Sequence, residues 1–269
     1  MKFSVSNIAL TEFDHTEEID QLASLGFSGL EVAPSRAWRD TWKGLTSSEV
    51  KNYRKSVEAA GLSVVGLHSL LFDQPELALF SERETRENTL SYLTHLSKIC
   101  RDLGGKTLIW GAGRKHSGLN FDLAEERALE FIRDLLSRVQ DHGTCFCFEP
   151  LGPGDTNFVN SVLEAIELVK IIDHSAFQIQ IDSKALMEND EVNASVFQKA
   201  SPYLVHYHAN EPGFGSLDGA GRVEHGKMAE FLCSVNYTGY VSLEQRMLDE
   251  MNPIAGLEKS VQILKECYG

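Results

Sequence analysis

Short apolar runs recur along this chain of 269 residues, and a stretch of helical period separates nearly every pair of them. Alternation over 3–8 predicts a first strand, and a helix over 17–25 follows, opened by Thr16 and stopped by Gly26. A second strand spans 29–33 and ends at Pro34; Thr46-Ser-Ser-Glu49 then has the form of a capping box and opens a helix reaching Ala60, before Gly61. Strand three covers 62–67 with His68 at its tip, and a long amphipathic helix over 81–103 stops at Gly104-Gly105. Strand four, 107–110, runs into Gly111-Ala-Gly113, and Asp122 reads as the cap of a helix ending near 141–143. Cys145-Phe-Cys-Phe-Glu149-Pro150 is a fifth strand, an apolar run that closes on a carboxylate and is stopped by proline. Further on, helices are predicted over 160–172, 190–200, 226–235 and 253–267, and strands over 177–182, 204–209 and 241–245. A long glycine-bearing loop, 212–221, follows strand seven and reads as a substrate-covering loop.

Strict alternation of strands and helices calls for parallel strands, and eight units call for closure: an α/β fold, a single (β/α)8 TIM barrel occupying 1–269 as one domain. A doubly wound open sheet is the alternative, but no Gly-x-Gly-x-x-Gly follows the first strand, so its dinucleotide-binding form lacks its fingerprint.

Composition narrows the partners. A formal net charge of −14 opposes binding to nucleic-acid phosphates or an anionic membrane. No apolar run approaches the ~18 residues of a membrane span, and the first residues lack the apolar core of a signal peptide. Five cysteines, an odd number without Cys-x-x-Cys spacing, fit reduced thiols in a cytoplasmic protein. The expected partner is a small molecule.

The chemistry gathers at strand ends. Glu149, Asp182, His208 and Glu244 close strands five to eight, and in a barrel of this type the active site lies at that rim. Three carboxylates and an imidazole suit Mn²⁺, Mg²⁺ or Co²⁺, with Zn²⁺ still compatible. His206 shares the face of His208 and competes for the ligand role.

Several segments here resemble the xylose-isomerase-like barrels, in the branch of sugar isomerases and epimerases that includes ketose 3-epimerases and hydroxypyruvate isomerases. They are Phe148-Glu149-Pro150, Ile181-Asp182-Ser183, His206-Tyr-His208-Ala-Asn-Glu211 and Asn236-Tyr-Thr-Gly-Tyr-Val-Ser-Leu-Glu244, and the resemblance runs over nearly the whole chain. It implies that Glu149, Asp182, His208 and Glu244 bind one divalent metal ion, with Glu149 and Glu244 doubling as the catalytic acid/base pair. A metal that chelates a carbonyl and its neighbouring hydroxyl acidifies the C–H between them, so the two carboxylates can epimerise or isomerise a sugar through a metal-stabilised enediolate. Such barrels often form dimers or tetramers, which leaves a homo-oligomer open.

Around these stand candidate substrate contacts: His68 for a hydroxyl, Trp110 as an apolar wall or a core residue, and Lys184 reaching in from its loop. Glu211 matches the family's His-x-x-Glu, Arg246 alternates with Glu244, Arg222 lies in the long loop, and Glu31 on strand two could bind a hydroxyl or pair with an arginine. One departure stands out. The epimerases carry a histidine three residues after the strand-six aspartate; here that residue is Ala185. Alternatives are therefore a lyase dehydrating a sugar- or inosose-like ring, and a degenerate sugar-binding barrel. DNA-repair endonucleases of the endonuclease-IV type share the fold but need further histidines, where this chain has Trp110, Ala185 and Asp218-Gly-Ala220.

Overall fold

A computed structural model describes residues 1–217 and 221–269; the Asp218-Gly-Ala220 segment lies outside the described residues. Eight parallel strands close into a barrel in sequence order: β1 (Lys2–Ser6), β2 (Gly29–Val32), β3 (Ser63–Leu67), β4 (Thr107–Trp110), β5 (Cys145–Phe148), β6 (Phe177–Asp182), β7 (Leu204–Ala209) and β8 (Tyr240–Leu243). Pairing of Lys2 to Val5 with Tyr240 to Leu243 seals it.

Around this barrel lie α1 (Thr16–Leu25), α2 (Pro34–Ala37), α3 (Ser47–Ala59), α4 (Arg83–Leu103), α5 (Phe121–Val139), α6 (Val162–Ile172), α7 (Ser183–Glu188), α8 (Ala194–Ala200), α9 (His225–Ser234) and α10 (Glu258–Tyr268). The long helices bury one stripe against the strands: α4 turns Leu90, Leu93, Leu96 and Leu103 inward, and α5 does so with Phe131, Ile132, Leu135 and Val139.

The elements match the expected strands and most helices, with local differences. The box at Thr46 and Glu49 forms as read. Asn120, not Asp122, caps α5, since its side chain accepts from the Leu123 N–H. Thr16 lies inside α1, and His15 before it caps nothing with its side chain. Pro34 ends β2 and also opens α2, where its fixed φ and missing N–H cost nothing. After β6 a short helix, α7, starts at once because the Asp182 carboxylate caps it, and the helix expected over 190–200 begins only at Ala194. The last helix is likewise shorter than expected, preceded by a 3-10 turn at Ala255–Leu257.

Glu149 and Glu244 stand one residue past their strands, yet each is still tied to the barrel by its backbone. The Glu149 N–H donates to Trp110 O at 3.2 Å and the Glu244 N–H to Ala209 O at 3.1 Å. Between β3 and β4 the barrel wall leaves no room for a side chain at Gly66, where a Cβ would lie 2.1 Å from the Thr107 carbonyl oxygen. Gly66→Ala must therefore push the two strands apart. We expect a loss of about 1–3 kcal/mol, read as a drop in the unfolding midpoint; an unchanged midpoint would contradict this packing.

Candidate metal and active site

Four tips meet at the C-terminal end of the barrel. Glu149, Asp182, His208 and Glu244 all line a cavity of about 380 Å³, together with His68, Lys184 and Asn210. The His208 Nδ1 atom points at three carboxylates: Glu244 Oε2 at 3.3 Å, Asp182 Oδ2 at 3.8 Å and Glu149 Oε1 at 3.9 Å. This nitrogen is buried and has no hydrogen-bond partner.

The other side of the ring is already committed. His208 Nε2 lies 2.9 Å from Glu31 Oε2, and a carboxylate only accepts, so the hydrogen sits on Nε2. Glu31 is fully buried. It also accepts from Ser242 Oγ at 2.7 Å and lies 3.0 Å from His206 Nε2. Burial alone would raise the Glu31 carboxyl, but the imidazoles of His208 and His206 hold it well below the ordinary range. His206 is thus bound to Glu31 on the barrel interior, and His208 is the histidine turned to the carboxylates. A carboxylate that grips one imidazole nitrogen and aims the other is the usual support of a metal ligand.

Neutral amides hold the carboxylates in place. Gln180 Nε2 donates to Glu149 Oε1 at 3.2 Å. Asn210 Nδ2 donates to Asp182 Oδ2 at 2.6 Å and to Glu244 Oε2 at 2.8 Å. Asp182 Oδ1 accepts the Ala185 N–H at 2.8 Å, so the backbone at Ala185 serves the aspartate while its side chain stays small and buried. His68, oriented by Ser6 Oγ at 2.6 Å, places Nδ1 3.4 Å from Glu244 Oε1. Glu149 lies flat over Gly111, where a Cβ would come within 2.2 Å of its Oε2.

The electrostatics follow from burying like charges together. Desolvation and the neighbouring Asp182 push Glu149 up to about 8. Desolvation and Glu244 push Asp182 up to about 6. For Glu244 burial would also raise the carboxyl, but His208 and His68 hold it far below the usual range. Burial would lower His208, yet Glu31 and Glu244 hold it well above an ordinary imidazole. Such a group of anions around one aimed nitrogen suits a divalent cation. Glu149, Asp182 and His208 bring ligand atoms within 4.8 Å of one another, as do Glu31, His206 and His208. In the second group Glu31 Oε2 already accepts from His208 Nε2 and Ser242 Oγ, and Glu31 Oε1 lies 3.0 Å from His206 Nε2, so the first is the better fit.

The remaining candidates divide. Lys184 lines the cavity wall, with Nζ 3.2 Å from Asp155 and 3.3 Å from Glu188. Trp110 borders the cavity, but its ring packs on Phe131, Phe146 and Phe148, in the layer between strands and helices. Glu211 faces away: its carboxylate accepts the N–H groups of Arg222 and Val223 and lies 3.3 Å from His225 Nε2, which holds the residues that lead into α9. Arg222 is exposed, outside the lining of the cavity. Arg246 is exposed as well, because β8 ends at Leu243 and strand alternation does not carry on to it. Glu31 meets histidines rather than an arginine.

Residues with no assigned part in the sequence reading complete the site. Gln180 and Asn210 were accessible to period-two counting, since each lies two residues from Asp182 or His208. Arg114 carried no such signal. It is buried, donates through Nε to Gly111 O and through Nη2 to Glu149 O, and stacks 4.3 Å from the Phe148 ring centre. Desolvation lowers its guanidinium to about 9. It fixes the backbone beneath Glu149 and leaves the carboxylate free.

Comparison with known proteins places this geometry. The D-psicose 3-epimerase of Ruminiclostridium cellulolyticum is 24% identical over 240 residues, 87% of this chain and 78% of its own length. The crystal structure of D-psicose 3-epimerase with D-tagatose from Clostridium cellulolyticum H10 superposes with a TM-score of 0.84 at 18% identity, over 100% of this chain and 99% of that one. That of the 3-keto-D-glucoside 4-epimerase from E. coli gives 0.80 at 21% identity, over 99% and 100%. Both share the closed barrel. The xylose isomerase-like TIM barrel family matches residues 19–267, and with nearly its whole length so covered the chain belongs to that family.

Proposed function

We propose that this protein is a divalent-metal-dependent sugar epimerase that inverts a carbinol carbon beside a ketone. The observation that carries the reading is the unpartnered Nδ1 of His208, gripped from behind by Glu31 and facing three carboxylates in a cavity. The related psicose 3-epimerase and 3-keto-glucoside 4-epimerase both bear names for inversion at one carbon of a keto sugar.

Glu149, Asp182, His208 and Glu244 are the residues that would hold the cation. When bound, it supplies Lewis-acid polarisation of the substrate carbonyl, which acidifies the adjacent C–H. The proton itself is handled by the chain's own groups. Glu149 follows β5 and Glu244 follows β8, three strands apart around the rim, so their carboxylates reach the cavity from different sides. One takes the proton from carbon onto an oxygen; the other delivers a proton to the opposite face, and the carbon inverts. Gln180 and Asn210 each hold one carboxylate oxygen of this pair. His68 stands beside the other oxygen of Glu244. The same first step followed by departure of a neighbouring hydroxyl would be dehydration, which loss of water from the product distinguishes.

Glu149→Gln removes one of the two proton carriers and is expected to lower deuterium exchange beside the carbonyl of a ketose by roughly 10²–10⁴-fold; full exchange in this variant would sink the mechanism. Glu31→Gln leaves the four ligands in place but loosens the grip on His208. Its affinity for Mn²⁺, followed by the loss of the free-ion paramagnetic resonance signal, should fall about 10–100-fold. Unchanged affinity would mean that Glu31 does not aim the ligand. A pH dependence follows from Glu149, raised from 4.5 to about 8. Across that window the metal-free native state holds a proton that the unfolded chain has lost, so its stability falls as pH rises. A divalent cation replaces that proton. The rise in melting temperature caused by excess Mn²⁺ should thus be larger near pH 8 than near pH 6, and equal shifts would contradict the assignment of Glu149 as a ligand.

A further inference from the structure

The cavity that holds the carboxylates does not end at Glu244. A second cavity of about 670 Å³ adjoins it, and the two share Ser69, Phe72, Phe214 and Glu244. This outer lobe lies beyond the ends of β1, β2 and β8, touching Ile8, Ala33 and Met247.

Its lining is aromatic. Phe13, Trp38, Phe72 and Phe214 all face it, and Phe72 is 77% exposed. The backbone is also unusual there. Phe13, Ser69 and Phe214 adopt φ values of 67°, 51° and 54°, a left-handed conformation that side-chain-bearing residues seldom take. Such residues persist only where their surroundings hold them, and they gather at ligand clamps. Phe13 is held on two sides: its N–H donates to Arg36 O at 2.8 Å, and the Arg39 guanidinium lies 4.2 Å from its ring centre.

The charges of the lobe decide what it would accept. Arg36, Arg39 and Arg246 share the lobe with Glu12 and Asp73, and Glu244 stands where it meets the inner cavity. Arg36 already sits 3.6 Å from Glu12, and Asp73 accepts from the hydroxyls of Thr41 and Tyr92. The lobe's own carboxylates, Glu12 and Asp73, and a net charge of −14 oppose a phosphate dianion there. Aromatic faces interspersed with planar donors and carboxylate acceptors instead suit a neutral pyranose, whose C–H faces pack on rings and whose hydroxyls find polar partners.

We propose that this barrel acts on a glycosylated keto sugar, with the keto sugar at Glu149, Asp182, His208 and Glu244 and a neutral second sugar ring in the outer lobe between Phe13, Trp38 and Arg246. The inference rests on the epimerase reading and names its substrate class. The test compares fructose, its 4-O- and 6-O-glucosyl derivatives maltulose and isomaltulose, and fructose 6-phosphate, with Mn²⁺-loaded protein in deuterium oxide. At least one glucosyl-fructose should exchange with kcat/KM about tenfold above fructose, the effect residing in KM. Arg246→Ala and Arg39→Ala should each bring that ratio back towards one. Equal rates for fructose and both disaccharides, a preference for fructose 6-phosphate, or a ratio indifferent to both substitutions would overturn the proposal. Exchange with none of the sugars would remove the epimerase reading itself. Calorimetric binding to the same loaded protein then judges the lobe separately: tighter binding of isomaltulose than of fructose upholds it, and equal or weaker binding overturns it.

Discussion

The site depends on a carboxylate that solvent never reaches. Glu31 sits inside the barrel on β2, and an ionised carboxylate in that position is costly unless it is paired and hydrogen-bonded. His206, His208 and Ser242 supply the pairing, from β7 and β8 across the interior. The arrangement stabilises the anion and settles the direction of one ring. With its Nε2 hydrogen directed at Glu31, His208 can present only Nδ1 to the cavity. Without Glu31 the imidazole could turn, and three carboxylates would face each other around an unaimed ring.

Those carboxylates are positioned by groups that do not neutralise them. Gln180 and Asn210 are neutral amides, and the Ala185 contact is a backbone N–H. Arg114, the buried guanidinium nearby, bonds carbonyl oxygens of Gly111 and Glu149 instead of the carboxylate. Negative charge is thus held in register and offset only in part, by His208 and His68 and more weakly by the Arg114 guanidinium. That imbalance raises Glu149 and Asp182, and it makes a divalent cation the fitting counter-charge.

Much of this was legible in the chain because apolar runs of strand length, punctuated by glycine and proline, mark the eight strands, and because Glu149, Asp182, His208 and Glu244 interrupt or end such runs. What was not legible depended on contacts across the barrel. Glu31 and His208 are 177 positions apart, and nothing local to Glu31 shows that it meets two imidazoles. Trp110 closes a strand buried on both faces, so no alternation tells which way its ring turns; it turns to Phe131 on α5. For Arg246 alternation was extended past the end of β8, and its exposed side chain lines the outer lobe rather than the inner cavity. At α7 the local signal was the cap: Asp182 serves a helix start and a candidate metal site at once, and the second role obscures the first.

The pairing of Glu31 with distant partners also bears on how the chain reaches its native state. Ser242 and Glu31 lie 211 positions apart, and β1 must find β8 before the barrel can close. Loop-closure entropy is lost before such contacts repay it, so folds built on them form slowly. On the ribosome the half that carries Glu31 emerges long before His208 and Ser242 are made. Until then Glu31 lacks the partners that balance its charge in the closed barrel. A site whose ligands and their support come from both ends of the chain is complete only once β7 and β8 have been made.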